Sequence, residues 1–354
     1  MANFSLTKRH CITILPVYMT DNQNLKTNKS IAVVTGANGF VGSHMADFLL
    51  KKGYIVRCII RKTSNTKWLD DKNVELYRCG LTDVEELKKV VEDADYVYHI
   101  AGVVKAFAPE GFVRGNMNMT QNVLEACLTA KNLKRVMVTS SMAATGPAPK
   151  GGELDETSPL KPKEPYGTSK VAQEEVAKKY MDRMSVVIVR PPGVYGPRDT
   201  EIFAFFKAVN GGIKPKMGFG IKELSLVHVN DLVNGMYLAN THKNGHNEIF
   251  FLGSEEKYNW HQLGDLAAEV IGKKAISVVI PKFLLYTIGA VGSLREKWFK
   301  SDVDLNWVRA KRITEPSWFC SSKKAVEQIG YKQQMAIRDG FEETVAWYRE
   351  KEWL

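Results

Sequence analysis

No Cys-x-x-Cys pair occurs anywhere in the chain, and the five cysteines, Cys11, Cys58, Cys79, Cys127 and Cys320, form an odd, scattered set. That pattern offers no disulfide framework and no metal site, and it points to reduced thiols in a cytoplasmic protein. Long hydrophobic runs are equally scarce. The longest in the C-terminal half, Phe283 to Leu294, is interrupted by Thr287, Gly289, Gly292 and Ser293 and is too short to span a bilayer. No transmembrane helix is therefore expected, and the run reads as a core helix. Lys297, Trp298, Phe299 and Lys300 follow it, so contact of residues 283–300 with a membrane surface is the alternative reading. Internal repeats and low-complexity tracts are absent as well. The net charge of +10 would suit nucleic acid, but Lys and Arg are spread along the sequence and no nucleic-acid-binding motif accompanies them. A surface suited to anionic small molecules is the expectation, with no nucleic-acid partner.

Against these absences, residues 31–42 stand out. Ile-Ala-Val-Val-Thr-Gly-Ala-Asn-Gly-Phe-Val-Gly is a buried-strand pattern running into three glycines. Gly36 permits a tight strand-to-helix turn, Gly39 lets backbone approach a pyrophosphate, and Gly42 lets the helix lie close to the strand. The N–H groups at the start of that helix lack intrahelical partners and the macrodipole is positive there, so an anion is favoured without a charged side chain.

Apolar runs that read as strands alternate with helical patterns, which predicts an α/β fold with a doubly wound parallel sheet of the Rossmann type and a smaller C-terminal substrate lobe. The expected strands are Ile31–Thr35, Ile55–Ile60, Val74–Tyr77, Tyr96–Ile100, Arg135–Thr139, Val186–Arg190 and Ile249–Leu252. The expected helices are Val41–Lys52, Val84–Glu92, Met117–Ala130 and Ser169–Tyr180. Ligands of such sheets bind outside the carboxyl ends of the strands, so Gly36, Arg61, Ala101 and Ser140 are expected to converge on one crevice. After Arg190 the texture turns to Pro- and Gly-rich segments with few strand signals. This divides the chain into a dinucleotide-binding part, residues 30–191 with about 227–256, and a substrate lobe, about 192–226 with 257–354. Residues 1–29, briefly apolar and then Asn-rich, read as a disordered extension. Its apolar run is a poor signal peptide, because Pro16 interrupts it and no small-residue cleavage site is clear.

Tyr166-Gly-Thr-Ser-Lys170 places a phenol and an amine four residues apart on one helix face. A nearby ammonium stabilises phenolate and draws a tyrosine pKa of about 10 toward the working range, which makes the phenol an acid-base group. Ser140 and Ser141 end a strand at the expected crevice, where a serine hydroxyl can bind a substrate oxygen.

Together these elements resemble the extended short-chain dehydrogenase/reductase superfamily, of the NAD-dependent epimerase/dehydratase type, over nearly everything from Ser30 to Leu354. Thr35-Gly-Ala-Asn-Gly-Phe-Val-Gly42 is similar to that family's glycine motif, and Tyr98-His-Ile-Ala-Gly102 to its fourth-strand motif beside the cofactor. Asn116-Met-Asn-Met-Thr-Gln-Asn122, Arg190-Pro-Pro-Gly-Val-Tyr-Gly-Pro197 and His228-Val-Asn-Asp231 are similar to its later motifs. The resemblance implies that Tyr166 moves the proton, Lys170 tunes it and holds ribose, and Ser141 positions the substrate oxygen. Ser141 is preferred to Ser140 because it stands five residues before Gly146, the family spacing. Cofactor contacts are implied for Gly36, Asn38, Gly39, Phe40, Val41, Gly42, Arg61, Lys62, Leu81, Ala101, Tyr166, Lys170, Pro191 and Val194.

Departures from the family pattern narrow the reading. Ser141-Met-Ala143 lacks the acid and base that dehydratases carry there, and Ala144-Thr-Gly146 replaces the Val-Tyr-Gly common in epimerases. Cys79-Gly80-Leu81 lacks the carboxylate of the family's adenine contact. At the end of the second strand the chain offers Arg57, Arg61, Lys62 and Lys67, and Val56-Arg-Cys-Ile-Ile-Arg-Lys62 resembles dihydroflavonol-reductase-like members, whose second arginine binds NADP. The cofactor expected is NADP, through Arg61, with NAD as the alternative. The activity implied is hydride transfer between a nicotinamide and a secondary alcohol/ketone substrate, as in dihydroflavonol-reductase-like and 3β-hydroxysteroid-dehydrogenase-like members. The alternative is a nucleotide-sugar epimerase with tightly bound NAD. Trp260, Trp298, Phe299, Trp307 and Trp318 are candidates for an apolar pocket or for core. A homodimer through the Met117–Ala130 and Ser169–Tyr180 helices is expected by analogy.

Overall fold

A computed structural model describes residues 29–106, 108–149, 151–218, 222–299, 306–315 and 317–354. The extension expected over 1–29 thus lies, except for Lys29, outside the described residues.

Six strands, β1 (Ile31–Thr35), β2 (Ile55–Ile59), β3 (Glu75–Tyr77), β4 (Tyr96–His99), β5 (Arg135–Thr139) and β6 (Val186–Arg190), join a seventh, Ile249–Phe251, in one sheet. Its order is Ile249–Phe251, β6, β5, β4, β1, β2, β3, with every pairing parallel. The strand order reverses between β1 and β4, which opens a crevice beyond their carboxyl ends.

The two faces of the sheet follow the two-residue strand period. Ala32 and Val34 of β1, Met137 of β5, and Val187 and Val189 of β6 enter one apolar cluster, against α1 (Phe40–Lys51) and the helix Val229–Thr241. Val33, Val136, Val138, Val186 and Ile188 enter the opposite cluster, against α2 (Val84–Val91), α4 (Met119–Cys127) and α5 (Pro165–Lys178). Both faces are covered, which is why the interior positions of these strands are apolar rather than alternating, with polar residues such as Thr35, Arg135, Thr139 and Arg190 only at their ends.

Two helices begin differently from the sequence expectation. The segment expected as a helix from Met117 starts earlier, with the short helix α3 (Pro109–Phe112) and a wide π-turn over Val113–Asn118, and α4 closes at Cys127. The helix expected from Ser169 starts at Pro165. Proline there lacks only an N–H that would have no helical partner, so it opens the helix rather than breaking it. Tyr166 accordingly lies in the first turn and Lys170 one turn later.

Beyond Arg190 the sequence shows few strand signals, yet short strands are present. Gly193–Tyr195 pairs with Leu226–His228, and Ile213–Met217 pairs in parallel with Ile276–Ile280. A third apolar cluster, including Tyr195, Phe206, Leu263, Phe341 and Tyr348, binds the helices Phe203–Asn210, Trp260–Ile271 and Ile337–Glu350 together. The helix Lys282–Phe299 departs from its core reading. Leu285, Gly289 and Gly292 face inward, but Phe283, Leu284, Ile288, Val291 and Leu294 are exposed. Among the described residues, no helix is long and apolar enough to cross a membrane, and Cys58, Cys79, Cys127 and Cys320 are unpaired.

Candidate active site

β1 delivers the chain into the glycine turn at the switch point. Gly36 has φ +67°, and a Cβ there would lie 2.8 Å from the Ala101 Cα at the end of β4, so both backbone conformation and space demand glycine. A Cβ on Gly42 would meet the Gly36 carbonyl oxygen at 2.2 Å, so the close approach of α1 to the turn depends on that residue having no side chain. Gly39 N–H donates to Gly36 O at 3.0 Å and Gly39 caps α1 without any side-chain hydrogen bond. No acidic residue occupies the first turn of α1. The N–H groups of Phe40 and Val41 therefore sit at a positive helix end with no side chain bonded to them, beside the half-buried Asn38.

Ser140 and Ser141 follow β5, and their side chains diverge. Ser140 Oγ donates to Glu174 Oε1 at 2.6 Å and is buried. Glu174 also takes a two-pronged ion pair from Arg190, Nε to Oε1 at 2.8 Å and Nη2 to Oε2 at 2.7 Å, with both side chains almost wholly inaccessible. Ser140 is thus committed to the interior. Ser141 turns the other way. Its Oγ accepts from Ala143 N–H at 3.2 Å. The Pro191 carbonyl accepts from Met142 N–H at 3.0 Å and fixes this turn.

Burial pushes the Tyr166 pKa up, and Ser141, then Arg312, oppose the rise. Phe112 packs against the phenol ring at 6.2 Å between centroids. Lys170 Nζ stands 5.8 Å from that ring centroid, and burial lowers its pKa to about 7, partly offset by Glu174.

A buried polar chain holds Lys170, and it can be traced proton by proton. Lys170 Nζ donates to Thr139 O at 2.9 Å and to Gln173 Oε1 at 2.8 Å. Gln173 Nε2 then donates to Thr120 Oγ1 at 2.7 Å, and Thr120 spends its own proton on Asn116 O at 2.6 Å. Having no second proton, Thr120 must accept from His99 Nε2, 2.8 Å away. His99 Nδ1 therefore accepts from Thr35 Oγ1 at 2.8 Å, and Thr35 in turn accepts from Ala101 N–H at 3.1 Å. The tautomer of His99 is fixed by its neighbours, and burial lowers its pKa to about 3, keeping the ring neutral. The chain joins the residue before Gly36 to the amine of Lys170. The third Lys170 N–H remains free of these acceptors, and a Cβ on Gly102 would lie 3.2 Å from Nζ.

At the ends of β2 and β3, Arg61 and Lys62 are exposed and, among the described residues, have no ionic partner. Arg57 is otherwise engaged, paired with Glu75 at 2.9 Å and Asp93 at 2.5 Å. Lys67 lies over the Trp68 ring at 4.4 Å. Arg78, which the sequence did not single out, reaches the carbonyls of Lys62 and Ser64 at 3.4 Å and adds a third cation. Leu81 is buried, and its carbonyl accepts from Asn122 Nδ2 at 2.9 Å. Val194 is half-buried beside the first cluster.

Other residues came into view only with the coordinates. Gln173 and the Glu174–Arg190 pair support Lys170 and Ser140. Arg312, on the helix Trp307–Thr314, reaches Glu164 Oε1 at 3.1 Å at the mouth of α5. Their only sequence signal is that Gln173 and Glu174 lie three and four residues past Lys170, on the same helix face. His228-Val-Asn-Asp231 is structural: His228 caps the helix Val229–Thr241, and Asp231 accepts from Gln334 and Met335 N–H at 3.0 Å each. Of the candidate pocket aromatics, Trp298 and Trp307 are exposed, Trp260 packs on Phe205, and Trp318 donates to Arg312 O at 2.9 Å.

The glycine turn, the unbonded helix N–H groups and the open side of Lys170 fit a nicotinamide dinucleotide: phosphates at the turn, ribose at the amine. Comparisons with known proteins place the chain among nicotinamide-dependent relatives. Over 328 residues the chain is 27% identical to a ceramide reductase of Caulobacter vibrioides, covering 92% of this chain and 96% of that protein. It is 27% identical over 242 residues to the human decarboxylating sterol-4-alpha-carboxylate 3-dehydrogenase, covering 66% of this chain and 64% of that one. A UDP-glucose 4-epimerase from Thermotoga maritima, solved with UDP-glucose, shares the fold with a TM-score of 0.74 at 23% identity, over 91% of this chain and 99% of that one. Residues 32–253 match the family model for the NAD dependent epimerase/dehydratase family, and the chain belongs to that family.

Proposed function

We propose that this protein is an NADP-dependent reductase or dehydrogenase that interconverts a ketone and a secondary alcohol on an apolar, lipid-like skeleton. The observation that carries the reading is the placement of Tyr166 in the first turn of α5, with the Lys170 amine 5.8 Å from its ring centroid and close to Gly102, the residue after the Ala101 that abuts Gly36, while Ser141 opposes the rise of its pKa. When bound, the nicotinamide supplies or accepts the hydride at the substrate carbon.

The chain's own residues handle the proton and the oxygen. In the reductive direction Ser141 holds the carbonyl oxygen, Tyr166 gives it a proton, and the Lys170 ammonium stabilises the phenolate left behind. Thr139 and Gln173 hold Lys170 in place through two hydrogen bonds. Arg61 and Lys62, with Arg78 beside them, support NADP over NAD, because residues 60–69 contain no carboxylate to accept ribose hydroxyls or repel a phosphate. The lipid-like skeleton is supported by two relatives named for ceramide and sterol substrates. Ser141-Met-Ala143 carries no further acid or base for dehydration, which supports hydride transfer without water elimination.

The test is a screen of long-chain ketones, sterol ketones and UDP-glucose with NADPH or NADH, following loss of reduced nicotinamide. Net NADPH consumption with an apolar ketone is expected. Conversion of UDP-glucose without net change in the cofactor would replace this reading with epimerisation. Tyr166→Phe should lower turnover about 10²- to 10⁴-fold, the usual worth of a positioned proton donor, and leave NADPH binding by fluorescence nearly unchanged.

A further inference from the structure

The apolar side chains that face solvent are gathered in one place. Fourteen large hydrophobic residues are exposed among those described, and eleven of them belong to the Ile213–Met217/Ile276–Ile280 ribbon and the helices Lys282–Phe299 and Trp307–Thr314. The helix Lys282–Phe299 explains the pattern. At 100° per residue, Leu285, Gly289 and Gly292 share one side, packed on Trp307–Thr314: Gly289 abuts Asn306 and Ala310, and Tyr286 Oη hydrogen-bonds Thr314 Oγ1 at 3.0 Å. The opposite side carries Leu284, Ile288, Val291, Leu294 and Trp298, with only Thr287 and Arg295 among them. Solvent-facing helix sides are normally polar. Here Val291 is 53% exposed, and the aromatic residues at the two ends, Phe283 and Trp298, are 72% and 76% exposed.

Charge identifies the partner. Between Ile271 and Phe299 the sequence carries Lys273, Lys274, Lys282, Arg295 and Lys297 against the single acid Glu296. A two-fold contact between copies of the chain would set this basic rim against itself. A bilayer bearing anionic headgroups complements both parts, taking the apolar side chains into its acyl boundary and the cations at its surface. An 18-residue helix with aromatic ends suits that position, lying in the surface rather than crossing it.

We propose that the Ile276–Ile280 strand and the outer side of the Lys282–Phe299 helix form a surface that docks on anionic lipid bilayers. The inner side of that helix packs on the one carrying Arg312, which reaches Glu164 beside Tyr166, so docking sets the catalytic cleft one helix away from the membrane plane. This proposal concerns where the protein sits and does not need the oxidoreductase reading to hold.

The experiment is co-flotation of the full-length protein with large unilamellar vesicles of phosphatidylcholine alone or mixed with phosphatidylglycerol, at low and physiological salt. Binding to the mixed vesicles, weakened by salt, is expected, with little binding to phosphatidylcholine alone. Phe283→Asp combined with Val291→Asp should reduce that binding at least about tenfold. Trp298→Ala, a milder change at an exposed site, should reduce it in part. Retained far-ultraviolet circular dichroism and NADPH fluorescence would show that the variants are folded. Absence of wild-type binding to anionic vesicles, or equal binding by the double variant, overturns the proposal. A wild-type dimer in light scattering that the double variant converts to monomer, without vesicle binding, overturns it in favour of a second copy.

Discussion

At Gly36 there is no room for one methyl group; at Phe283 an entire aromatic ring lies open. These positions typify two regions built on different terms. Around the sheet, the inner strands are sealed on both faces, and buried chains such as Thr35–His99–Thr120–Gln173–Lys170 hold its polar side chains in place. In the lobe, the Ile213–Met217 and Ile276–Ile280 strands pair with each other and leave their apolar side chains largely in solvent. The difference teaches where tolerance lies. The sheet region fixes reacting groups and admits little change, whereas the lobe is constrained by what it meets outside the chain.

The contrast can be broken by experiment, beginning where the effect should be greatest. Arg190→Met strands the buried Glu174 carboxylate and should cost about 3–5 kcal/mol in chemical denaturation. Adding Glu174→Leu should recover a good part of that. A loss below 1 kcal/mol for the single variant would mean that the sheet region yields as easily as the lobe. Acidification attacks the same region through its buried histidines. Burial lowers His99 to about 3 and His44 and His228 to about 4, while an unfolded chain protonates them near the ordinary 6.5. Between those values the unfolded state binds more protons. The contribution of each ring is therefore complete above about 6.5 and lost as pH falls toward 4, amounting to a few kcal/mol per ring. Thermal melts should drop through that window, and a flat profile would contradict neutral, buried rings.

Arg61→Ala tests the exposed rim between the two regions. NADPH affinity should fall about 10- to 100-fold, or ~1.4–2.8 kcal/mol, with NADH changed little; equal losses by calorimetric titration would remove the arginine from phosphate selection. The smallest effect should come from Ile276→Thr, which replaces an exposed strand residue and should shift stability by no more than ~0.5 kcal/mol. A larger loss would show that the ribbon is packed more firmly than its exposure implies.

What was legible in the sequence follows the same divide. Strands such as Val186–Arg190 announce themselves because both faces are buried and the four residues before Arg190 are all apolar. The glycine turn is equally plain, because Gly36 and Gly42 are demanded by backbone conformation and contact. The helix expected from Ser169 begins four residues earlier, because Pro165 fits the first helical position. Ile213–Met217 escaped notice because Pro215 and its lysines mask a short edge strand. Arg312 acts through a contact with Glu164, far away in the sequence, and no local pattern encodes it, while the only local signal of Gln173 is its spacing from Lys170. For Lys282–Phe299 the core reading stood ahead of membrane-surface contact, because apolar spacing shows that a helix is hydrophobic, not which of its sides another element covers.

The wide turn over Val113–Asn118 fits one residue more into its length than a regular helix would. That surplus sets the rotation of Asn116, whose amide donates to Val103 O and Ser169 Oγ while its oxygen accepts from Val103 N–H. Deleting a single residue there would restore an ordinary helix and swing Asn116 by about 100°, unfastening the 101–103 loop from the first turns of α5. One spare residue thus works as a latch between the fourth strand and the helix that bears the phenol.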